Sequence, residues 1–331
     1  MNAMAHFRSA FLAVLASLFT AVFWSSAASG QTFPTQPIKL IVPYPAGGGT
    51  DIVARILGQE LTKAWGQPVI VQNMAGATGS VGTGAAARSE PDGYTILIVP
   101  NSHAISAALN PKLPYDSVKG FEAITLVTSY PYVLVVNPAL TVLTAPELFA
   151  YAKANPSQAL YASSGNGTAG HLSMELLLSA ASVTMTHVPY KGSTPALLDL
   201  VGGRVPTMFD PAATVIPLIK GGKLRAVAVS TAKRFGMLPD VPTIAEATSI
   251  KDFDVPGWLG ILAPANTPKA IVDRYHAELV RILQIPAVRQ SLERSGQEPQ
   301  HNTPQAFRAM MVDEIAKWTK VIQVAKISLT N

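Results

Sequence analysis

A glycine-rich segment at residues 44–51, YPAGGGTD, has the residue types that hold a carboxylate. It follows an apolar run at residues 38–43 and precedes residues 51–65, whose apolar side chains recur at helical spacing. The amides of a first helical turn have no partner inside the helix and carry the positive end of its dipole, and glycines let an anion approach the backbone. The segment is therefore a candidate anion-binding loop, whose candidate ligand-binding residues are Ala46, Gly47, Gly48, Gly49, Thr50 and Asp51.

A second polar loop, residues 161–171 with the sequence YASSGNGTAGH, also lies between a predicted strand and a predicted helix. Ser163, Ser164 and Thr168 place hydroxyl groups beside free backbone amides. If both loops face one cleft, a few charge-assisted hydrogen bonds of roughly 1.5–3 kcal/mol each would hold a carboxylate after the costs of binding. Such a site would need no buried cation.

Three further polar residues follow strands in the same part of the chain. Tyr190 and Lys191 lie in PYKGST at residues 189–194 and would supply an aromatic wall and a cation. Asp210 ends a strand predicted at residues 206–210 and would accept a hydrogen bond from a ligand donor. These residues complete the candidate ligand-binding set.

Each of these segments also has a purely structural interpretation. The three glycines would form a tight turn, with Thr50 or Asp51 capping the next helix, and the second loop would only connect its strand to its helix. Lys191 would be solvated, as lysines usually are. Asp210 would cap the helix that follows it.

Nucleotide chemistry is poorly supported by the sequence. Residues 82–87 fit a loose GxGxxA dinucleotide pattern, but residues 74–81 separate them from the preceding strand. Neither a GxxxxGK(S/T) phosphate loop nor a GxSxG nucleophile elbow occurs. We therefore predict no nucleotide cofactor.

Hydrolytic and metal chemistry are no better supported. A hydrolase triad can be drawn from residues common in any chain of this size: Ser163 or Ser164, His171 or His187, and Asp210. His171 and Glu175 have the i, i+4 spacing of two zinc ligands, but no third ligand is signalled nearby. We predict that the protein is not an enzyme and carries no metal and no cofactor.

Residues 1–30 have the pattern of a secretory signal peptide. Arg8 precedes an apolar run at residues 11–24, and small residues follow at residues 25–30. The apolar run is shorter than the roughly 20 residues of a membrane-spanning helix. The sequence contains no cysteine to lipidate or to pair. These features predict export to the periplasm as a soluble protein, with cleavage after Ala28 or Gly30.

The formal net charge of +5 suits an anionic ligand. No basic tract with interleaved aromatic residues is present, which argues against a nucleic-acid partner.

Short apolar, β-branched runs alternate with stretches of helical periodicity along the rest of the chain. Strands are predicted at residues 38–43, 68–72, 94–99, 159–162, 184–188, 206–210 and 224–229. Helices are predicted at residues 51–65, 169–181, 194–201, 213–220, 268–283, 286–294 and 304–325. One more helix is predicted to begin at residues 144–147. This order predicts an α/β fold with a mostly parallel sheet and helices on both faces. Residues 132–138 and 255–264 are predicted strands that carry the chain between two lobes.

Six ordered motifs resemble those of the Bug family, the extracytoplasmic receptors of tripartite tricarboxylate transporters. They are YPAGGGTDIVAR at 44–55, EPDGYTILIV at 90–99, PYKGSTPALLDLVGGRV at 189–205, GKLRAVAVST at 222–231, LPDVPTIAEA at 238–247 and GWLGILAPANTP at 257–268. The resemblance extends from about residue 34 to the C-terminus. It implies a two-lobed type II periplasmic-binding-protein fold with a central cleft, and delivery of the ligand to a permease of one large and one small membrane subunit.

The resemblance also bears on the ligand. Family members grip a carboxylate with the glycine loop and with hydroxyls of the second lobe, which points to residues 46–51 and to Ser163, Ser164, Thr168 and Asp210. Family ligands include citrate-like acids, acidic amino acids and aromatic carboxylates. Many relatives have Asn directly after the aspartate, whereas this chain continues with Pro211, which leaves ligand identity open.

These observations give one leading hypothesis, a periplasmic receptor that captures a small carboxylate by lobe closure. Residues 31–133 with 260–331 would form one lobe, and residues 134–259 the other. A ligand sensor for a membrane-bound signalling partner is an alternative that uses the same pocket. A periplasmic hydrolase or isomerase is the alternative from another class.

Overall fold

The computed structural model describes residues 33–325. The predicted signal peptide at residues 1–30 lies outside the described residues. None of the helices within the described range is both long and apolar enough to cross a membrane.

The first sheet is built from six strands: β1 (Ile38–Val42), β2 (Val69–Asn73), β3 (Thr95–Pro100), β4 (Phe121–Tyr130), β10 (Gly257–Pro264) and β11 (Glu298–Pro299). Their order across the sheet is β11-β4-β10-β3-β1-β2. The second sheet is built from five strands: β5 (Tyr132–Val136), β6 (Leu160–Ser163), β7 (Thr186–Pro189), β8 (Thr207–Pro211) and β9 (Arg225–Val229). Their order is β7-β6-β8-β5-β9. Each sheet with its helices forms one lobe.

Helices alternate with these strands. They are α1 (Gly49–Trp65), α2 (Ser80–Ala87), α3 (Ser102–Leu109), α4 (Ala145–Ala154), α5 (Ala169–Ala181), α6 (Ser193–Val201), α7 (Ala212–Lys220), α8 (Ile244–Ala247), α9 (Lys269–Leu283), α10 (Pro286–Arg294) and α11 (Pro304–Ala325). Helices α5, α10 and α11 have the bounds that the sequence predicts. Helix α11 packs against α3 and β4 of the first lobe and also against α5 of the second, so it contacts both lobes.

The chain crosses between the sheets twice. Strand β4 ends at Tyr130 and β5 begins at Tyr132, so a single residue, Pro131, connects the two lobes. The chain returns between β9 and β10, where the amide of Val255 still donates to Ser230 of the second lobe and β10 begins at Gly257. The strands predicted at residues 132–138 and 255–264 therefore start at the two crossings.

The expectation of a mostly parallel sheet is wrong, because both sheets are mixed. Among the described strands, four pairings are parallel and five are antiparallel. Parallel neighbours require a crossover helix, whereas β5 and β10 enter their sheets directly from the other lobe. Both therefore lie antiparallel to their neighbours.

Strand β10 is buried at every position and forms the centre of the first lobe. A Cβ atom at Gly260 would lie 2.0 Å from the ring of Phe307 on α11, so glycine is required there for the helix to approach the strand.

Candidate ligand-binding site

A cavity of about 270 Å³ lies between the two sheets. The first lobe contributes Tyr44, Gly49, Thr50, Thr78, Pro100, Asn101, Ser102, Tyr130, Leu259 and Gln297. The second lobe contributes Tyr132, Ser164, Thr168, Ala169, Gly170, Ser193, Pro211, Ala213 and Thr214. Both lobes therefore supply the walls, as a ligand that bridges them requires.

The first turns of five helices, α1, α3, α5, α6 and α7, contribute residues to this cavity. None of the five has a side-chain cap in the described chain. Side-chain caps occur at α4 and α8, on Thr144 and Thr243, whereas α2, α9 and α10 lie away from the cavity and are uncapped as well, so what marks the cavity is the convergence of five first turns. The amide of Ala212 on α7 already donates to the carbonyl of Pro131. First turns without a side-chain cap otherwise leave backbone amides available and add their positive dipole ends, an arrangement that favours an anion.

The cavity carries no charged side chain among its described lining residues. A carboxylate bound here would have to be held by backbone amides, hydroxyl groups and side-chain amides. Tyr44, Tyr130 and Tyr132 add apolar ring surface beside those donors. Burial raises the pKa of Tyr44 and of Tyr130 to about 12, so both phenols remain protonated and uncharged at neutral pH.

The glycine loop is fixed from behind by Asp51, which is buried. Its Oδ2 atom accepts hydrogen bonds of 2.9 Å from the amide of Gly47 and from Nε of Arg55, and its Oδ1 atom accepts one of 2.9 Å from Nδ2 of Asn73. Burial opposes ionisation of Asp51, but the hydrogen bonds from Arg55, Gly47 and Asn73 outweigh it and lower the pKa. Gly49 and Thr50 line the cavity, while Asp51 holds the loop in place.

The remaining loop residues, Ala46, Gly47 and Gly48, are exposed and do not line the cavity. Gly47 adopts a φ of 85°, a backbone conformation that favours glycine, where it turns the chain so that its amide meets Asp51.

We predict that Asp51→Ala weakens ligand binding by at least tenfold and lowers the free energy of unfolding by about 2–3 kcal/mol. The substitution removes the buried acceptor of three hydrogen bonds, and hydrogen bonds to a charged group contribute about 1.5–3 kcal/mol each, of which the exposed Gly47 and Arg55 recover part from water. Lys251→Ala is the control, because the exposed Lys251 ammonium donates to the carbonyls of Ala245 and Thr248 and is not among the residues that line the cavity. Titration calorimetry and urea unfolding measure both effects, and equal affinities for the two variants would contradict the role of the loop.

In the second loop, as in the glycine loop, some residues line the cavity and another supports the loop. Ser164 and Thr168 line the cavity. Ser163 is fully buried, and its hydroxyl lies 2.7 Å from Nε2 of His187 and also donates to the carbonyl of Gly165. Ser163 thus holds the loop that presents its neighbour to the cavity.

Two stacked histidines support this loop. The rings of His171 and His187 lie 3.8 Å apart, and Nδ1 of His171 accepts a hydrogen bond from the amide of Gly167. Burial lowers the pKa of His187 to about 4, and burial together with His187 lowers that of His171 to about 3. Both rings are therefore neutral at physiological pH, which lets them stack and lets His171 accept.

The residues considered for a hydrolase triad, a zinc site and a dinucleotide loop do not form such sites in the described chain. Asp210 bonds neither histidine, so Ser163 and His187 lack the third member of a triad. Glu175 accepts a hydrogen bond from Tyr161, and the described residues contain no cluster of potential metal ligands. Residues 82–87 lie inside α2, where Gly82 allows close contact with the backbone of Pro43.

Tyr190, Lys191 and Asp210 do not line the cavity. The Tyr190 hydroxyl donates to Asp199 at 2.8 Å, and Lys191 is exposed. Asp210 is buried directly behind the wall.

Two residues that do line the cavity, Ser193 and Thr214, donate their hydroxyls to Asp210. Burial raises the pKa of Asp210 to about 7, although both hydroxyls act against this shift. Asp210 thus fixes two hydroxyl groups of the cavity wall rather than facing the cavity itself.

Sequence reasoning missed two side-chain amides, Asn101 and Gln297. Asn101 follows the carboxyl end of β3 and precedes α3, the same context as the glycine loop, and that position could have identified it. Gln297 precedes a strand of only two residues, and no local pattern marks it.

Two α/β lobes around one cleft define a solute-binding protein of the periplasmic-binding-protein type. The family model for the tripartite tricarboxylate transporter family receptor matches residues 53–327. The chain belongs to this family, and the predicted resemblance and two-lobed fold are confirmed. Members of the family are solute receptors, so the prediction that the protein is not an enzyme is also confirmed.

Individual proteins are similar to this chain over most of their length. Protein BugT of Bordetella pertussis is 36% identical over 314 residues, which cover 94% of this chain and 96% of BugT. An R. palustris protein solved with adipate is 34% identical, with a TM-score of 0.81, over 89% of this chain and 99% of that one. MatC from Rhodopseudomonas palustris, solved with bound malate, is 32% identical, with a TM-score of 0.76, over 88% of this chain and 100% of MatC.

Proposed function

We propose that this protein is exported to the periplasm, where it captures a small carboxylate in the cavity between its lobes. The observation that carries the proposal is the convergence of five uncapped helix N-termini on a cavity whose lining, within the described range, carries no charged side chain. Such a cavity supplies many hydrogen-bond donors and a positive potential, and an anion matches both. The adipate and malate bound by two structural relatives support a carboxylate.

In this proposal Gly49 and Thr50 hold the carboxylate from the first lobe, and Ser164 and Thr168 hold it from the second. Asp51 and Ser163 keep the two loops in shape. The loaded receptor then delivers its ligand to a membrane permease of one large and one small subunit. The family supports this partner, since its members are receptors of tripartite transporters.

A thermal-shift screen of the mature protein tests the proposal. The acids are citrate, tartrate, succinate, malate, adipate, glutamate, aspartate, nicotinate and benzoate, each at millimolar concentration. A ligand at 100 times its Kd stabilises the folded state by about 2.7 kcal/mol, which raises the Tm by several degrees. We expect such a shift for at least one acid, with that acid recovered unchanged after incubation. Flat curves for every acid would contradict carboxylate capture, and conversion of the acid would contradict a receptor role.

The two lobes are proposed to close on the ligand. The lobe of the first sheet would move against the lobe of the second about the two crossings, one of which is the single residue Pro131. Ligand drives closure only if it binds the closed state more tightly, which a carboxylate that touches both lobes does.

Small-angle scattering measures the closure. We expect the radius of gyration to fall when the acid from the screen saturates the protein, and to stay constant with an acid that gave no thermal shift. An unchanged radius at saturation would contradict a hinge.

A further inference from the structure

The loop between β2 and α2 holds Thr78 on the cavity wall in a left-handed backbone conformation. The φ of Thr78 is 54°, and all four residues 76–79 have a positive φ, from 45° at Ala77 to 144° at Gly76. Residues with a side chain rarely adopt this region, and a β-branched residue such as threonine is an outlier there. Strain of this kind persists only where the surrounding structure imposes it, and it is concentrated at functional sites.

The fold accounts for the backbone at this position but not for the side chain. The Tyr44 hydroxyl donates to the carbonyl of Thr78 at 3.2 Å, and glycine would present the same carbonyl without strain. Glycine does occupy position 79, where a Cβ atom would lie 2.9 Å from the Tyr44 hydroxyl oxygen. Thr78 itself is exposed, and its hydroxyl makes no hydrogen bond within the described chain. No hydrogen bond of the described chain therefore explains a threonine here.

Tyr44 connects Thr78 to Ser102 on the first-lobe wall, and all three residues line the cavity. The single hydroxyl hydrogen of Tyr44 is donated to the Thr78 carbonyl, which can only accept. The hydrogen bond between Tyr44 and Ser102 then uses the hydroxyl hydrogen of Ser102. Both hydrogens are committed within the protein, whereas the hydroxyl hydrogen of Thr78 is available to a molecule in the cavity.

The topology of the first sheet also places Thr78 beside the glycine loop. Strand β1 pairs in parallel with both β2 and β3, so the carboxyl ends of the three strands lie at one edge of the sheet. The glycine loop follows β1, the loop that carries Thr78 follows β2, and Ser102 follows β3. Ligands of open α/β sheets bind beyond the carboxyl ends of parallel strands. Thr78 is thus the contribution of β2 to the same site.

We propose that Thr78 is a ligand-binding residue whose hydroxyl donates a hydrogen bond to the bound molecule, and that this contact is the reason for a strained threonine where glycine would be more stable. The Thr78 side chain therefore lowers the stability of the free protein and raises its affinity. This inference rests on the proposed function and adds a ligand contact outside the two predicted loops.

Three variants of Thr78 separate the hydroxyl from the backbone. Thr78→Val keeps the branched shape and removes the hydroxyl, Thr78→Ser keeps the hydroxyl, and Thr78→Gly removes the whole side chain. In titration calorimetry of the mature protein with the tightest-binding acid of the thermal-shift screen, we expect Thr78→Val and Thr78→Gly to lose at least tenfold in affinity. Tenfold is about 1.4 kcal/mol, close to the contribution of one hydrogen bond to a charged group. Thr78→Ser is expected to stay within threefold of wild type.

The Tm of the ligand-free protein distinguishes a ligand contact from a structural role. We expect Thr78→Gly to raise this Tm by about one to four degrees, because the relief of strain exceeds the entropy that glycine adds to the unfolded chain. Thr78→Val keeps the strain and should leave the Tm within about two degrees of wild type. A lower Tm for Thr78→Gly would show that the threonine stabilises the loop, and it would overturn the inference.

Ala77→Gly is the matched control. Ala77 also has a left-handed φ, of 45°, but it does not line the cavity, so glycine there relieves strain without removing a ligand contact. We expect a similar rise in Tm with affinity within twofold of wild type. Equal losses of affinity in Ala77→Gly and Thr78→Gly would point to loop flexibility and overturn the inference, as would wild-type affinity in Thr78→Val. These outcomes leave the receptor function intact, whereas no binding of any screened acid to wild type overturns both.

Discussion

Replacing Gly170 by alanine is expected to lower the free energy of unfolding by about 3 kcal/mol, the upper range for an overpacked core. Gly170 lies in the first turn of α5, and its Cβ atom would be 2.4 Å from the carbonyl oxygen of Phe209 on β8. The backbone fixes the position of the Cβ atom and the Phe209 oxygen is a backbone atom, so no side-chain rotation can relieve the contact. Helix α5 has to move away from the central strand of the second sheet.

The same displacement should reduce ligand affinity at least tenfold, because Ala169 and Gly170 line the cavity at the N-terminus of α5. Urea unfolding and titration calorimetry measure the two effects. Gly236→Ala is the matched control, since its Cβ atom would meet nothing within 4 Å. A Gly170→Ala variant with wild-type stability and affinity would contradict the packing of α5 on β8.

Replacing Asp210 by asparagine is expected to stabilise the protein increasingly as the pH rises from 4 to 8. The pKa of Asp210 is about 7 in the folded protein against an ordinary value of 3.8, so between these values the folded state retains a proton that the unfolded state has released. Raising the pH through this window therefore favours unfolding of the wild type. Asparagine does not titrate, so the free energy of unfolding of the variant relative to the wild type rises across this window, by about 4 kcal/mol for two pKa values about 3 apart.

Urea unfolding at several pH values measures this difference. All other titrating groups are common to both proteins, so they cancel when the two free energies are subtracted. A pH-independent difference for Asp210→Asn would show that its carboxyl is not held neutral by burial.

The helices and strands were largely predictable because their signals are local. Proline in the first turn and a clear apolar periodicity define α10 and α11, and both have the predicted bounds. Strands β1 and β3 are runs of apolar, mostly β-branched residues buried on nearly every position, and they agree to within one residue at each end. The position of the two loops after strands also followed from the sequence, and residues of both line the cavity.

What was missed depends on contacts between distant residues. The antiparallel arrangement of β4 and β10 comes from the crossings between lobes, which no local pattern records. Gln297 reaches the cavity through the pairing of the two-residue strand β11 with β4, across more than 160 residues of sequence. Asp51 and Asp210 have the residue type of a ligand contact, but three-dimensional packing turns each of them to hold a neighbouring loop or hydroxyl.

The most direct test of the account is a crystal structure of the mature protein with the acid that the thermal-shift screen selects. We expect a carboxylate between the lobes, within hydrogen-bond distance of the amides at Gly49 and Thr50 and of the second-lobe residues Ser164 and Thr168, with no lysine or arginine in contact. A carboxylate paired with a cationic side chain, or bound outside the cavity, would contradict it.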